Sequence, residues 1–155
     1  MSYQAVILTV SDSCAAGTRT DTSGPAIRAM LENAGFAVQA MQTVPDKEGQ
    51  ISAAIVHACD ILQADLVVTT GGTGLSPRDV TPEATLAVLD REIRAIPVAM
   101  WVEGLKSTPR AMLSRAVAGI RGHTLVLNVP GSEKAARENL GAVVATLDHA
   151  LRMLA

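Results

Sequence analysis

Apolar runs of strand length alternate along this chain with segments whose apolar residues recur at helical spacing. Ala5 to Val10 is an apolar run with one Thr, and a polar, Gly-containing loop follows from Ser11 to about Asp21. Ile27, Met30, Leu31 and Ala34 then mark one face of a helix, with Gly35 at its C-terminal end. Phe36 to Val44 predicts a second strand. Asp46 opens a helix whose apolar face is Ile51, Ile55, Ala58 and Leu62. A short β-branched strand, Asp65 to Thr70, runs directly into Gly71-Gly72-Thr73-Gly74. Thr81-Pro82-Glu83 predicts a helix start, with Thr81 as N-cap, proline in the first turn and an acid facing the dipole. Leu86, Leu89 and Ile93 would carry that helix's inner face.

A further helix is predicted from Ile96 to Lys106, broken at Thr108-Pro109. Ala116 to Ile120 and Thr124 to Asn128 read as two strands joined by a turn at Arg121-Gly122-His123. Ser132 caps the last helix, in which Leu140, Val143, Val144, Leu147, Leu151 and Leu154 form the clearest amphipathic stripe. Strands alternating with helices imply crossover connections and a mostly parallel sheet covered on both faces. The expectation is one α/β domain over residues 1–155. Ligands of such sheets lie beyond the carboxyl ends of the strands. That rule points to Ser11-Asp12-Ser13, to Gly71 through Thr81, and to Asn128 through Ser132.

Composition narrows the picture. Of 155 residues, 48% are hydrophobic and 18% charged, which places the chain among globular proteins. A mean hydropathy of +0.28 is high for this size, yet no apolar run approaches the ~18 residues of a membrane span. The surplus suggests a subunit interface. The net charge of −2 and the three aromatic residues, Tyr3, Phe36 and Trp101, offer neither a basic field nor stacking platforms, so a nucleic-acid partner is not expected. The N-terminus reads as a first strand without a signal peptide, implying a cytoplasmic protein. Cys14 and Cys59 read as free thiols, and His57, His123 and His149 share no metal-ligand spacing.

The chemistry concentrates after the third strand. Gly71, Gly72, Thr73 and Gly74 remove side chains where a ligand could meet backbone N–H groups, and glycine permits the positive φ angles that aim successive amides at an anion. The segment is neither a Walker A loop nor a complete dinucleotide fingerprint, so on the glycines alone it reads as a phosphate or nucleotide cradle, with a tight strand-to-helix turn as the alternative. Arg78 offers a phosphate clamp and Asp79 a hard oxygen ligand for Mg2+. Asp46 reads either as an ordinary N-cap or as a second carboxylate at the ligand rim.

The run Thr69-Thr-Gly-Gly-Thr-Gly-Leu-Ser-Pro-Arg-Asp-Val-Thr-Pro-Glu-Ala-Thr85 resembles the signature of the MoaB/Mog family of molybdenum-cofactor biosynthesis proteins, which includes a domain of gephyrin. Thr9 to Ser13, Asp21 to Gly24, Val44 to Asp46, Ala111 to Arg115, Gly119 to Gly122 and Asn128 to Ser132 extend the resemblance over essentially the whole chain. It implies a three-layer α/β/α fold, usually a homotrimer, that transfers AMP from Mg-ATP to the terminal phosphate of molybdopterin and releases pyrophosphate. By that resemblance Asp46 and Asp79 are the catalytic, Mg2+-binding pair, and the Gly71 to Gly74 loop holds the nucleotide. Ser11, Asp12, Arg78, Ser114, Asn128, Gly131 and Ser132 fall in motifs that line the pocket. Other proteins of molybdenum-cofactor biosynthesis would be further partners.

Two departures stand out: Arg94-Ala95 where many members have Pro-Gly, and Gly104 where a Ser often precedes Leu-Lys. They bear on local backbone and subunit contacts. The alternative reading is a non-catalytic molybdopterin-binding homologue or scaffold on the same trimeric fold. The aspartate pair and the intact glycine loop favour the enzyme.

Overall fold

The first apolar run becomes β1 (Gln4–Val10), whose residues from Ala5 onward are buried. In this computed structural model, which describes residues 2–155, β1 lies inside a six-stranded sheet. It pairs in parallel with β2 (Ala37–Val44) on one side and β3 (Leu66–Thr70) on the other, and β3 pairs in parallel with β6 (Thr124–Val129). β5 (Ala118–Arg121) returns antiparallel to β6 through a turn in which Gly122 takes a φ of +59°. β4 (Arg91–Glu92) adds an antiparallel edge to β5. The order β2-β1-β3-β6-β5-β4 gives the mostly parallel α/β sheet that the pattern implied.

Strand alternation divides the buried residues into two cores. On one face Ala5, Ile7, Leu66, Val68, Leu125 and Leu127 pack under α2 (Ser23–Asn33), α5 (Ala95–Leu105) and α6 (Glu133–Leu154), represented by Ile27, Met100 and Leu140. On the other, Val6, Leu8, Val67 and Val126 meet α3 (Glu48–Val56) and α4 (Thr81–Leu86) through Ile51, Ile55 and Ala84. The stripe of α6 buries Leu140, Val143, Leu147 and Leu151 as its spacing required, each fully buried Leu contributing about 1.5–3 kcal/mol. Ser132 caps this helix, its Oγ accepting from Ala135 N at 3.2 Å.

Several local expectations are corrected. The loop after β1 contains a one-turn helix, α1 (Asp12–Ala15), capped by Ser11, whose Oγ accepts from Cys14 N. Asp46 does not cap α3: Lys47 holds that place, and the Asp46 carboxylate accepts instead from Asp12 N. Thr81 is the first residue inside α4 and not its cap, because Val80 takes the cap position and the Thr81 side chain is fully buried. That helix ends at Leu86, which stays 43% exposed, since the chain must straighten to form β4. Leu89 and Ile93 therefore pack on opposite faces of the sheet instead of one helix face. After α3 the helix widens into a π-turn over His57–Ile61, and Gln63 follows at a φ of +53°.

Asn128 shows how the polar residues at the strand ends are used. It is fully buried in β6, and its amide donates to Thr69 Oγ1 at 2.8 Å and Thr85 Oγ1 at 3.1 Å. Its Oδ1 accepts from Val117 N at 3.2 Å. One side chain thus ties β3, α4 and the approach to β5. Asn128→Ala leaves these partners without it and should lower unfolding stability by about 1–3 kcal/mol, read as a shifted urea midpoint at constant m.

Candidate active site

The sheet reverses its direction of winding at β1. The chain passes from β1 out to β2, then crosses back to β3 on the other side. A crevice therefore opens beyond the carboxyl ends of β1 and β3, the usual ligand position in such sheets. Gly71 begins the loop after β3 at a φ of +102°, and a Cβ there would collide with the carbonyl oxygen of Val10. The two strand ends can meet only if position 71 has no side chain.

The loop that follows sorts its peptide groups. Gly72 O accepts from Thr81 N at 3.1 Å, and Thr73 O from Arg115 N at 2.8 Å. Gly74 O accepts from Arg115 Nε at 2.8 Å, and Asp79 O from Arg115 Nη2 at 2.8 Å. Arg115 is itself fixed by Glu83, which lies 2.6 Å from Nη1, and that contact holds the Glu83 carboxyl below its usual range. The carbonyls are thus tied back into the protein. Among the described residues, the N–H groups of Gly72, Thr73 and Gly74 have no protein acceptor. Three amides without partners on a glycine loop form an anion cradle.

Two carboxylates flank this cradle. A Cβ on Gly72 would stand 3.1 Å from Asp46 Oδ1, and one on Gly74 would stand 2.9 Å from Asp79 Oδ2. Asp79 Oδ2 accepts from Ser76 N at 3.0 Å, closing the turn that sets its direction. Asp46 is held reciprocally with Asp12: Asp12 N donates to Asp46 Oδ2, and Asp46 N to Asp12 Oδ1, both at 2.9 Å. Burial pushes the Asp46 acid above the ordinary carboxylate value, and the negative charges of Asp12 and Asp79 add to that rise. Asp12 moves the other way, lowered by the N–H of Asp46 and by Arg78.

Asp46 and Asp79 line one cleft of about 780 Å³, within the ~300–1,000 Å³ of small-molecule sites. Ser11, the Gly71 to Gly74 loop, Ser114, Gly131 and Ser132 share its wall. Three of the sequence candidates lie elsewhere. Asp12 and Arg78 pair with each other outside it, Arg78 Nε and Nη2 both reaching the Asp12 carboxylate at 2.8–3.0 Å. Asn128 is the buried tie described above.

The cleft also includes residues outside the sequence candidates, among which Asp21 belongs to a motif of the resemblance. Arg19 and Asp21 come from the segment after α1, and Thr108 and Arg110 from the 3-10 turn at Pro109–Leu113. Glu138 and Asn139 come from α6. Asn139, 5% exposed just before Leu140 of the apolar stripe, was the one readable signal. Gly104 also faces the cleft, where a Cβ would stand 2.9 Å from that of Ala111, so this departure from the family pattern reaches the site itself.

A mostly parallel α/β sheet thus places a glycine loop and two acids together at its winding reversal. Residues 6–149 match the family described as "Probable molybdopterin binding domain", and the chain belongs to that family. It is 37% identical over 152 residues to a molybdopterin adenylyltransferase of Helicobacter pylori, covering 96% of this chain and 85% of that protein. It is 41% identical over 158 residues to gephyrin of Dictyostelium discoideum, covering 96% of this chain. The chain spans 22% to 47% of the length of three longer curated relatives, gephyrin among them. The crystal structure of the molybdopterin biosynthesis enzyme MoaB from Thermus thermophilus superimposes with a TM-score of 0.93 at 49% identity, covering 98% of this chain and 96% of that one.

The raised Asp46 acid has a consequence for stability. A carboxyl whose native acidity is weakened destabilises the fold while ionised, and the penalty fades as pH falls through its native value and ends below the unfolded value of 3.8. Asp46→Asn should therefore raise the ligand-free melting temperature at neutral pH. That gain should shrink on acidification, as followed by calorimetry.

Proposed function

We propose that this chain is a molybdopterin adenylyltransferase, transferring AMP from Mg-ATP to the terminal phosphate of molybdopterin with release of pyrophosphate. One observation carries the reading: three N–H groups without protein partners and two carboxylates border the same glycine loop in one cleft. The family, and the relatives named for this activity, agree with it.

In the reaction, an oxygen of the pterin phosphate attacks the α-phosphorus of ATP, a new P–O bond forms, and the bond to the leaving pyrophosphate breaks. The nucleophile carries its own charge, so no protein base is required. The barrier is the repulsion between two anions, and alignment with charge compensation lowers it. The amides of Gly72, Thr73 and Gly74 donate to nucleotide phosphate oxygens at little cost in reorganisation, because Thr81 N already holds the carbonyl of Gly72 and Arg115 those of Thr73 and Gly74.

The donor set fits Mg2+ arriving with the nucleotide. Among the described residues, Asp46 Oδ1 and Asp79 Oδ1 each lack a protein donor, while the opposite oxygens are fixed by Asp12 N and Ser76 N. No cluster of three His, Cys, Asp or Glu residues occurs among the described residues, which suits an ion that takes its remaining ligands from phosphates and water. Bound there, Mg2+ would supply neutralisation of phosphate charge. Arg19 and Arg110, at other points of the cleft wall, add positive charge for the anionic pterin substrate.

The assembly we propose is a homotrimer in the cytoplasm. Val98, Val102 and Leu105 of α5 are 45–57% exposed, and Met112 and Leu113 nearby are 65% and 47% exposed. Such a surface suits a partner subunit. No helix among the described residues is long and apolar enough to cross a membrane.

Incubation with molybdopterin and Mg-ATP should yield adenylylated pterin by mass spectrometry. Asp79→Ala and Asp46→Ala should abolish that product while pterin binding persists. Wild-type protein that binds the pterin but forms no adduct would establish the non-catalytic alternative. Light scattering should give three times the chain mass, and a monomeric mass would remove the trimer.

A further inference from the structure

Two buried side-chain polar atoms among the described residues have no hydrogen-bond partner, Trp101 Nε1 and Thr81 Oγ1. Only the second borders the glycine loop. Thr81 is fully buried, and its backbone is anchored, since its N–H donates to Gly72 O and its carbonyl accepts from Thr85 Oγ1. Its hydroxyl neither caps α4 nor faces solvent. A hydroxyl left in this state costs stability, and a valine of the same shape would escape that cost. The cost requires a reason.

Gly72 supplies the geometry. A Cβ at this position would overlap Thr81 Oγ1 and stand 3.1 Å from Asp46 Oδ1, so both oxygens converge on the space that the glycine leaves open. The φ of +70° at Gly72 keeps side chains out of that space in any case. Asp46 Oδ1 is the carboxylate oxygen that no protein donor occupies, whereas Oδ2 is held by Asp12 N. An unused donor and an unused acceptor therefore face one gap. Carboxylates that ligate metals are commonly steadied by a hydrogen bond from behind.

We propose that Thr81 is a positioning residue for Asp46: when the cleft takes up a divalent cation with nucleotide phosphates, the Thr81 hydroxyl donates to one lone pair of Asp46 Oδ1, leaves the other to the ion, and fixes that carboxylate in its ligating orientation. The inference rests on the adenylyltransferase reading of the same site, in which Asp46 and Asp79 hold the ion. Thr81 touches neither substrate nor ion. Its bond is absent in the ligand-free protein and forms on loading.

The test is a titration of Mn2+ by electron paramagnetic resonance in the presence of α,β-methylene-ATP, paired with ligand-free melting curves. Thr81→Val should melt at or above the wild-type temperature and yet bind Mn2+ about 10–100-fold more weakly. Thr81→Ser, which keeps the hydroxyl, should recover most of that affinity. Wild-type affinity in Thr81→Val overturns the proposal, as does equal weakening in Thr81→Ser, which would show the γ-methyl packing to be what matters. If Thr81→Val melts lower, Thr81→Ala takes its place in the same titration under the same criteria. Asp79→Ala separates the two readings. Loss of Mn2+ in Asp79→Ala with full retention in Thr81→Val removes the Thr81 inference alone, whereas retention in Asp79→Ala removes both.

Discussion

The contact on which the site depends is a backbone approach between two strand ends. Gly71 stands where the carbonyl of Val10 leaves no room for a Cβ, and Gly131 brings a second strand-end loop against the same residue, its own Cβ position 3.2 Å from Gly71 Cα. Three parallel strands, β1, β3 and β6, thus deliver their following loops to one place. Hydrophobic burial on both faces of the sheet fixes where these strands end, and the absence of side chains decides how closely their loops converge. The acids and amides of the site inherit their positions from that convergence.

A second theme is how much of the polar inventory is spent on geometry. Arg115 has several donors, and each one identified grips a loop carbonyl or Glu83. Arg78 is likewise engaged by Asp12. The groups left over are the ones a phosphate chain with a cation would need: donors on the loop, acceptors on Asp46 and Asp79. Burial, and to a lesser degree the neighbouring charges of Asp12 and Asp79, weaken Asp46 as an acid.

The sequence made the architecture legible because hydrophobic period and turn residues agree there. The strand runs at Ala5 to Val10 and Thr124 to Asn128, the glycine loop and the capped amphipathic α6 were all readable from local pattern. The helix boundaries at Asp46 and Thr81 were not, because Asp and Thr are good caps in isolation, and only the fold shows the Asp46 carboxylate engaged by Asp12 and the Thr81 hydroxyl buried without a partner. Arg19, Arg110 and Glu138 were also illegible. They come from segments far apart in the chain, and each resembles an ordinary surface residue until the fold gathers them around the cleft. Asn128 erred in the other direction: its motif resembled a pocket wall, yet its amide is consumed inside the protein.

The grip of Arg115 has a mechanical corollary. Its backbone N–H and its guanidinium both hold the segment from Thr73 to Asp79, while the turn just before it contributes Arg110 and Ser114 to the lining of the same cleft. The glycine loop and the turn at Pro109–Leu113 are therefore linked through one short stretch of chain. A ligand that draws the glycine loop inward must pull that turn with it, so occupancy at the loop is transmitted to the part of the cleft that Arg110 lines. Substrate addition in such a device is expected to be synergistic, each reactant binding more tightly after the other has arrived.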